Sequence, residues 1–164
     1  MNIVEAILDR LLPKKVIVNC EKQPYLHRWY VVRTERVSLF VHKFVRSDED
    51  RALHDHPWSF IVLPIWRGYI EHNERLPNIP FDSEHIKELA DYVENGPDFV
   101  PHQSRVWPIL GTRFRSSLYR HRVELIDGKP SWSLFIRFKK VREWGFWLPQ
   151  GFMLWNKFWQ DKCE

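Results

Sequence analysis

The sequence predicts an all-β fold, a barrel or double-sheet jelly roll with one or two short peripheral helices. Three observations carry that expectation. Short runs rich in Val, Ile, Phe, Tyr and Trp recur at roughly even spacing, separated by turn residues. No internal repeat or low-complexity linker interrupts the 164 residues, a length that suits a single domain over 1–164. Nine Trp and eleven Phe supply large buried area per residue, and their polar tips suit a pocket lining.

Ile3, Ile7 and Leu11 recur at helical spacing over residues 3–12, and Pro13 stops the run, so a short helix precedes the strands. Val16-Ile17-Val18 reads as a short strand. The runs Trp29 to Val32 and Val37 to Val45 read as two strands joined by the polar turn Arg33-Thr34-Glu35-Arg36. Ser47-Asp48-Glu49-Asp50 is a loop, Ser59 to Ile65 a buried strand, and Tyr69 to His72 resumes strand character after Gly68. Residues 73–97 read as an insertion, with a helix through Ile86, Leu89, Ala90 and Val93 that Asp82 or Ser83 caps and Asn95-Gly96-Pro97 ends. Strand character returns over Phe99 to Val106, Phe114 to Leu125 and Trp132 to Lys139, with Asp127-Gly128 as a tight turn. An aromatic extension, residues 144–164, reads as a lid, a dimer contact or extra core over an open barrel end.

Composition narrows the function. No run of 18 apolar residues is present, so no membrane-spanning helix is expected. Met1-Asn2-Ile3-Val4-Glu5 lacks a basic start and a small-residue cleavage site, so no signal peptide is expected. Cys20 and Cys163, near opposite ends, read as free thiols in a reducing, cytoplasmic compartment. A net charge of +4 spread along the chain reads as a solvated surface, and nucleic acid is not the expected partner. The chain has no phosphate-binding or dinucleotide-binding glycine loop, no nucleophile elbow and no Cys-x-x-Cys.

The chemistry concentrates in His54-Asp55-His56-Pro57-Trp58 and in His121 downstream. Histidines at i and i+2 share one face of a strand. A third on a neighbouring strand completes a three-nitrogen facial metal site with positions left open for substrate. Asp55 then points to the opposite face, as a loop or supporting residue.

His54-x-His56 followed by Gly68 resembles the first motif of the cupins, and Gly68 falls at the closing glycine of that frame. Counting back from it puts Ile61 at the cupin Glu position. Tyr119-Arg120-His121-Arg122-Val123 resembles the second motif, with Arg115-Ser116-Ser117 where Pro-x-Gly usually stands. The resemblance spans roughly residues 37–139 and implies a cupin-type double-stranded β-helix. With Ile61 replacing the Glu, the pattern is similar to the three-His thiol dioxygenases of the cysteine dioxygenase type. That implies a divalent metal on His54, His56 and His121: Fe(II) first, with Zn, Ni or Mn as other occupants. The implied function is a mononuclear non-haem iron dioxygenase acting on a small polar molecule. The alternative is a non-catalytic or metal-free cupin that binds a small ligand. A sugar-nucleotide isomerase is a weaker third reading, since no His–Asp pair is recognisable. Cupin edge strands imply a homodimer as one assembly.

Side-chain alternation nominates the pocket. Ser117, Tyr119 and Val123 share the face of His121, and Tyr119 is a candidate catalytic donor to a metal-bound ligand. Ser38, Phe40, His42, Phe44 and Arg46 share a face of an earlier strand, which makes His42 a candidate catalytic residue near the metal. Arg46 or Arg137 is expected to clamp a substrate carboxylate or phosphate. Arg51 is expected to pair with Asp48 or Asp50. His72, His85 and His102 have no spacing partner that makes a second site.

Overall fold

Two six-stranded antiparallel sheets face each other across an aromatic interior in the computed structural model, which describes residues 3–48, 52–74, 101–148 and 151–163. The chain begins with helix α1 (Ile3–Leu11) and strands β1 (Lys14–Val18), β2 (Pro24–Arg33) and β3 (Ser38–Phe44). Then follow β4 (Leu53–His54), β5 (Phe60–Trp66), β6 (Tyr69–Glu74) and β7 (Pro101–Val106). The second half holds β8 (Arg113–Arg115), β9 (His121–Glu124), β10 (Ser131–Arg137), β11 (Gly145–Leu148), β12 (Gly151–Leu154) and helix α2 (Trp155–Cys163). One sheet runs β1-β2-β3-β10-β5-β8, the other β12-β11-β4-β9-β6-β7. Neighbours in each sheet are mostly distant in sequence, the strand exchange of a jelly roll.

The first sheet follows the period-2 rule. In β3, Ser38, Phe40 and His42 are buried while Leu39 and Val41 are half-buried, and β10 and β5 repeat the alternation. β3 and β10 pair from Ser38 opposite Arg137 to Phe44 opposite Ser131 without a slip, which sets Phe40 beside Phe135. Phe40, Phe60, Val62 and Phe135 form one core cluster, and each such side chain contributes about 1.5–3 kcal/mol on burial. Gly68 closes the β5–β6 turn at φ +65°, and a Cβ there would sit 2.0 Å from the Val106 carbonyl oxygen, so only glycine fits.

Several expectations are corrected. The run Phe114 to Leu125 is two strands in opposite sheets: β8 pairs with β5, and β9 with β4 and β6. Arg115 to Arg120 crosses between the sheets, so Tyr119 lies in the turn before β9 and not on one strand with His121. In the His54-x-His56 motif, β4 stops at His54 and His56 lies beyond it. Helix α1 forms, yet Ile3, Ile7 and Leu11 face outward; its buried residue is Glu5, which pairs with Lys43 at 2.8 Å. Residues 73 and 74 belong to β6, whereas the rest of the expected 73–97 insertion lies outside the described residues.

Cys20 and Cys163 are not free thiols; they form a disulfide across a sequence separation of 143. The hairpin β11–β12 returns the tail to the first strands, so α2 ends beside the β1–β2 turn with the Cα atoms 5.1 Å apart. Disulfides persist in oxidising compartments, so the basis for a reducing compartment is lost. No described helix is long and apolar enough to cross a membrane.

Candidate metal centre

Three histidines converge between the sheets. His54 and His121 are register partners on β4 and β9, which sets their rings 4.9 Å apart. His56 lies 5.1 Å from His121 and 5.2 Å from His54, ring centre to ring centre. One ligand atom from each falls within 4.8 Å of the others, close enough that small rotations of the rings would turn all three nitrogens onto one ion.

The chemistry of the donor set fits a divalent ion. Burial pulls the His54 pKa down to about 4, despite the nearby Asp48 carboxylate. Burial, reinforced by the neighbouring His121 and His54, lowers His56 well below the ordinary imidazole range. Both rings are therefore neutral near pH 7, with a lone pair to offer. His56 Nε2 and His121 Nε2 lie 2.8 Å apart, in position to share one proton, which marks the point on which the ligand atoms converge.

A buried polar network fixes His121. Glu71 is fully buried on β6, and its Oε1 accepts from His121 Nδ1 at 2.9 Å. The proton is thus held on Nδ1, and Nε2 is directed at the other histidines. Glu71 Oε2 accepts from Arg115 at 2.7 Å and from the Tyr119 hydroxyl at 2.8 Å, and Asn73 donates to that same hydroxyl. Burial raises the Glu71 carboxyl, but the His121 hydrogen bond and the Arg115 charge outweigh it and hold the group at about 2. The carboxylate is accordingly charged and fully engaged.

The histidine turn has its own anchor. Asp55, fully buried on the face away from the rings, accepts from the Gly145 amide at 2.9 Å, from Trp147 Nε1 at 3.1 Å and from Arg142. A Cβ at Gly145 would sit 2.0 Å from the Met153 carbonyl oxygen, so the approach of β11 to β12 requires glycine. Asp48 binds the Tyr25 hydroxyl and the Val123 amide, and its Oδ2 lies 3.9 Å from His54 Nδ1. Arg51, its expected partner, lies outside the described residues.

The three rings open into a cavity of about 500 Å³ between the sheets, within the range of small-molecule sites. His42 lines it, as do Arg28, Trp58 and, from the tail, Trp144, Trp155 and Trp159. Ile61, counted into the Glu position, lies on the outward face of β5; the neighbouring Phe60 fills the inward place, 4.5 Å from His56 and 5.8 Å from His121. No carboxylate joins the trio among the described residues.

The other sequence candidates lie elsewhere. Tyr119 is not among the cavity-lining residues, and its hydroxyl is bound to Glu71 and Asn73. Arg46 is exposed and off the cavity. Arg137 donates to the carbonyls of Thr34 and Phe138 and stacks over Trp58. Sequence reasoning missed Glu71, Arg115 and Arg28. A signal for Glu71 existed: it shares the inward face of β6 with Tyr69, where a charged residue needs buried partners.

No family model matches the chain, and no curated protein matches it. Solved structures do. An Fe(II) form of HppE aligns with TM-score 0.52 and 13% identity over 79% of this chain and 57% of that one. Streptomyces albus HEPD, with 2-hydroxyethylphosphonate and Fe(II) bound, aligns with TM-score 0.52 and 10% identity over 80% of this chain and 25% of that one. A cupin domain from Bordetella pertussis aligns with TM-score 0.45 and 15% identity, covering 72% of this chain and 97% of that domain. The chain thus spans little more than half of the HppE chain and a quarter of HEPD, and the likeness is one of fold.

Proposed function

We propose that this chain, a cupin by fold, is a mononuclear metal enzyme that holds one Fe(II) ion on His54, His56 and His121 and oxidises a small organic molecule with dioxygen. The observation that carries the reading is the convergence of three imidazoles, His121 buried and His54 and His56 half-buried, at the wall of a cavity, with His121 braced by a charged, buried Glu71. Bound Fe(II) supplies the redox chemistry that a chain without another cofactor motif otherwise lacks. HppE and HEPD, whose folds this chain shares, carry Fe(II) in their solved structures, which supports that choice of metal. The protein's part is binding, orientation and exclusion of water. Glu71 keeps the His121 proton on Nδ1, and Tyr119 and Arg115 keep Glu71 in place. Phe60 and Phe135 wall the metal side of the cavity with rings.

The test is metal content. Protein purified without chelator is expected to carry about one divalent ion per chain by mass spectrometry, and His54→Ala or His121→Ala to carry none. Iron-loaded protein is then expected to consume oxygen with its substrate. A second reading has its own support: His56 Nε2 and His121 Nε2 lie within hydrogen-bond reach of each other, at 2.8 Å. Metal-free protein that keeps its ligand binding after substitution of these histidines establishes that reading and overturns the first.

A further inference from the structure

The cavity holds more hydrogen-bond donors than its own acceptors satisfy. Arg28, on β2, lines it and is partly buried. Its guanidinium stacks over Phe40 and donates from Nε to His42 Nε2 at 2.9 Å. Among the described residues it forms no ion pair with a carboxylate, and Asp48, a carboxylate that lines the cavity, is engaged by Tyr25 and Val123. Arginine can only donate, so His42 Nε2 must be the acceptor and the His42 proton sits on Nδ1. That Nδ1, in a residue only 2% exposed, has no hydrogen-bond partner. Trp58 Nε1, another donor on a lining residue, is buried and unpartnered as well. A buried donor without a partner is costly, and the Arg28 guanidinium, which binds His42 and Tyr30, carries a charge that no carboxylate among the described residues balances.

Around these donors the lining is apolar. Leu26, Phe44, Val62 and Phe135 contribute from the first sheet, and Phe146 and Trp155 from the tail. A chain of ring contacts links the donors on the first sheet to the metal trio: His42 stacks on Phe135 at 4.8 Å, Phe135 on Phe60 at 4.9 Å, and Phe60 meets His56 at 4.5 Å.

We infer that the cavity binds an amphiphilic organic oxyanion: a carboxylate-type head taken by Arg28, with His42 and Trp58 as neutral donors, and an apolar body laid against the aromatic walls. The inference rests on the metal-enzyme reading only for the statement that this anion is the substrate; the binding itself is independent of the ion. His42 acts as a positioning residue, because its ring fixes the guanidinium through Nε2.

The experiment titrates octanoate, octanamide and inorganic phosphate into chelator-treated protein, read by tryptophan fluorescence, since Trp58, Trp144, Trp155 and Trp159 line the cavity. Octanoate is expected to bind at least tenfold more tightly than the neutral amide of equal length, as a charged hydrogen bond implies. Phosphate, which has the charge without the body, is expected to bind at least tenfold more weakly than octanoate. Arg28→Gln should remove the preference for octanoate over octanamide while binding of the amide persists, and Arg28→Lys should restore part of it. Equal affinity for octanoate and octanamide in the wild-type protein overturns the anion assignment, whatever the variants do. Phosphate binding as tightly as octanoate overturns the apolar body. Metal content is read separately, in wild-type and Arg28→Gln protein. A chain that binds octanoate but no metal refutes the metal reading alone, and one that binds metal but shows no preference refutes this inference alone.

Discussion

The two sheets of this jelly roll are built by different physics. The sheet β1-β2-β3-β10-β5-β8 is long-stranded, and its strands β3, β10 and β5 pair over runs of six or seven residues with regular burial alternation. The sheet β12-β11-β4-β9-β6-β7 contains β4 of two residues and β9 of four, and it positions His54, His121, Glu71 and Asn73. Rings hold the first sheet at its centre; buried carboxylates hold the second. Glu71 ties β6 to β9 through His121, Asp55 ties the histidine turn to β11, and Asp48 ties its loop to β9. A scaffold of apolar alternation tolerates drift in any one contact. A site of three ligands from two short segments does not, so each ligand strand is fixed by directional bonds.

The largest stability effect is therefore expected in the first sheet, with the least effect on the site. Phe40 is 4% exposed and packs on Phe135, His42 and Tyr30. Phe40→Ala is expected to lower the unfolding free energy by about 3–5 kcal/mol in a urea titration. Metal affinity at low denaturant should stay within a few-fold of wild type. A loss of metal affinity in step with stability breaks the division between the sheets.

Next in size is the staple between the ends. Cys20–Cys163 holds α2, whose Trp155 stacks on Trp144 and whose Phe158 lies 3.8 Å from Phe146. The double substitution of both cysteines by serine is expected to cost about 2–4 kcal/mol, measured against the oxidised protein in the same titration. If the tail holds its place through its rings alone, reduction leaves the midpoint where it was.

Glu71→Gln reverses the pattern expected at Phe40. The amide keeps the shape but loses the charge that Arg115 and His121 share, and its nitrogen meets either the His121 Nδ1 donor or the Arg115 guanidinium. Metal affinity is expected to fall about 10–100-fold, which is the usual weight of a partner behind a ligating histidine. Competition with a chromogenic chelator measures it. An unchanged affinity means that His121 needs no brace.

The same division explains what is legible in the sequence. The strands of the first sheet are visible because Phe40, Phe60, Val62 and Phe135 alternate with outward residues, and period 2 is local information. The trio His54, His56 and His121 is visible through its i, i+2 spacing and the cupin frame around Gly68. What surrounds the trio is not. Whether Glu71 faces His121 depends on β6 pairing with β9 in a register that sets Asn73 opposite His121, a fact of tertiary pairing. The split of Phe114 to Leu125 between two sheets hides in the same way, because Arg115-Ser116-Ser117 carries no Gly or Pro to mark the crossing. Cys20 and Cys163 look unpaired because sequence distance says nothing of the spatial distance that the tail hairpin closes. Arg28 does not stand out beside Arg46 and Arg137, since nothing local distinguishes an arginine over a cavity from one on a turn.

The smallest effect is expected one bond further from the metal. The Tyr119 hydroxyl donates to Glu71 Oε2 and accepts from Asn73 Nδ2, while Arg115 covers the ring face at 4.3 Å. Tyr119→Phe removes one of the three donors on the Glu71 carboxylate and leaves Arg115 and His121 bound to it. One hydrogen bond to a charged group is lost and the Asn73 amide is left unpaired, so a stability cost of about 1.5–3 kcal/mol is the upper bound and about 1 kcal/mol the expectation. Metal affinity should fall by less than in Glu71→Gln, since the His121 contact itself is untouched. That ordering distinguishes a brace from a catalytic group. If Tyr119 touches substrate, Tyr119→Phe lowers turnover of the iron-loaded protein more than tenfold while metal affinity stays near wild type. If it acts through Glu71, metal affinity moves first, and turnover at saturating iron follows it no further.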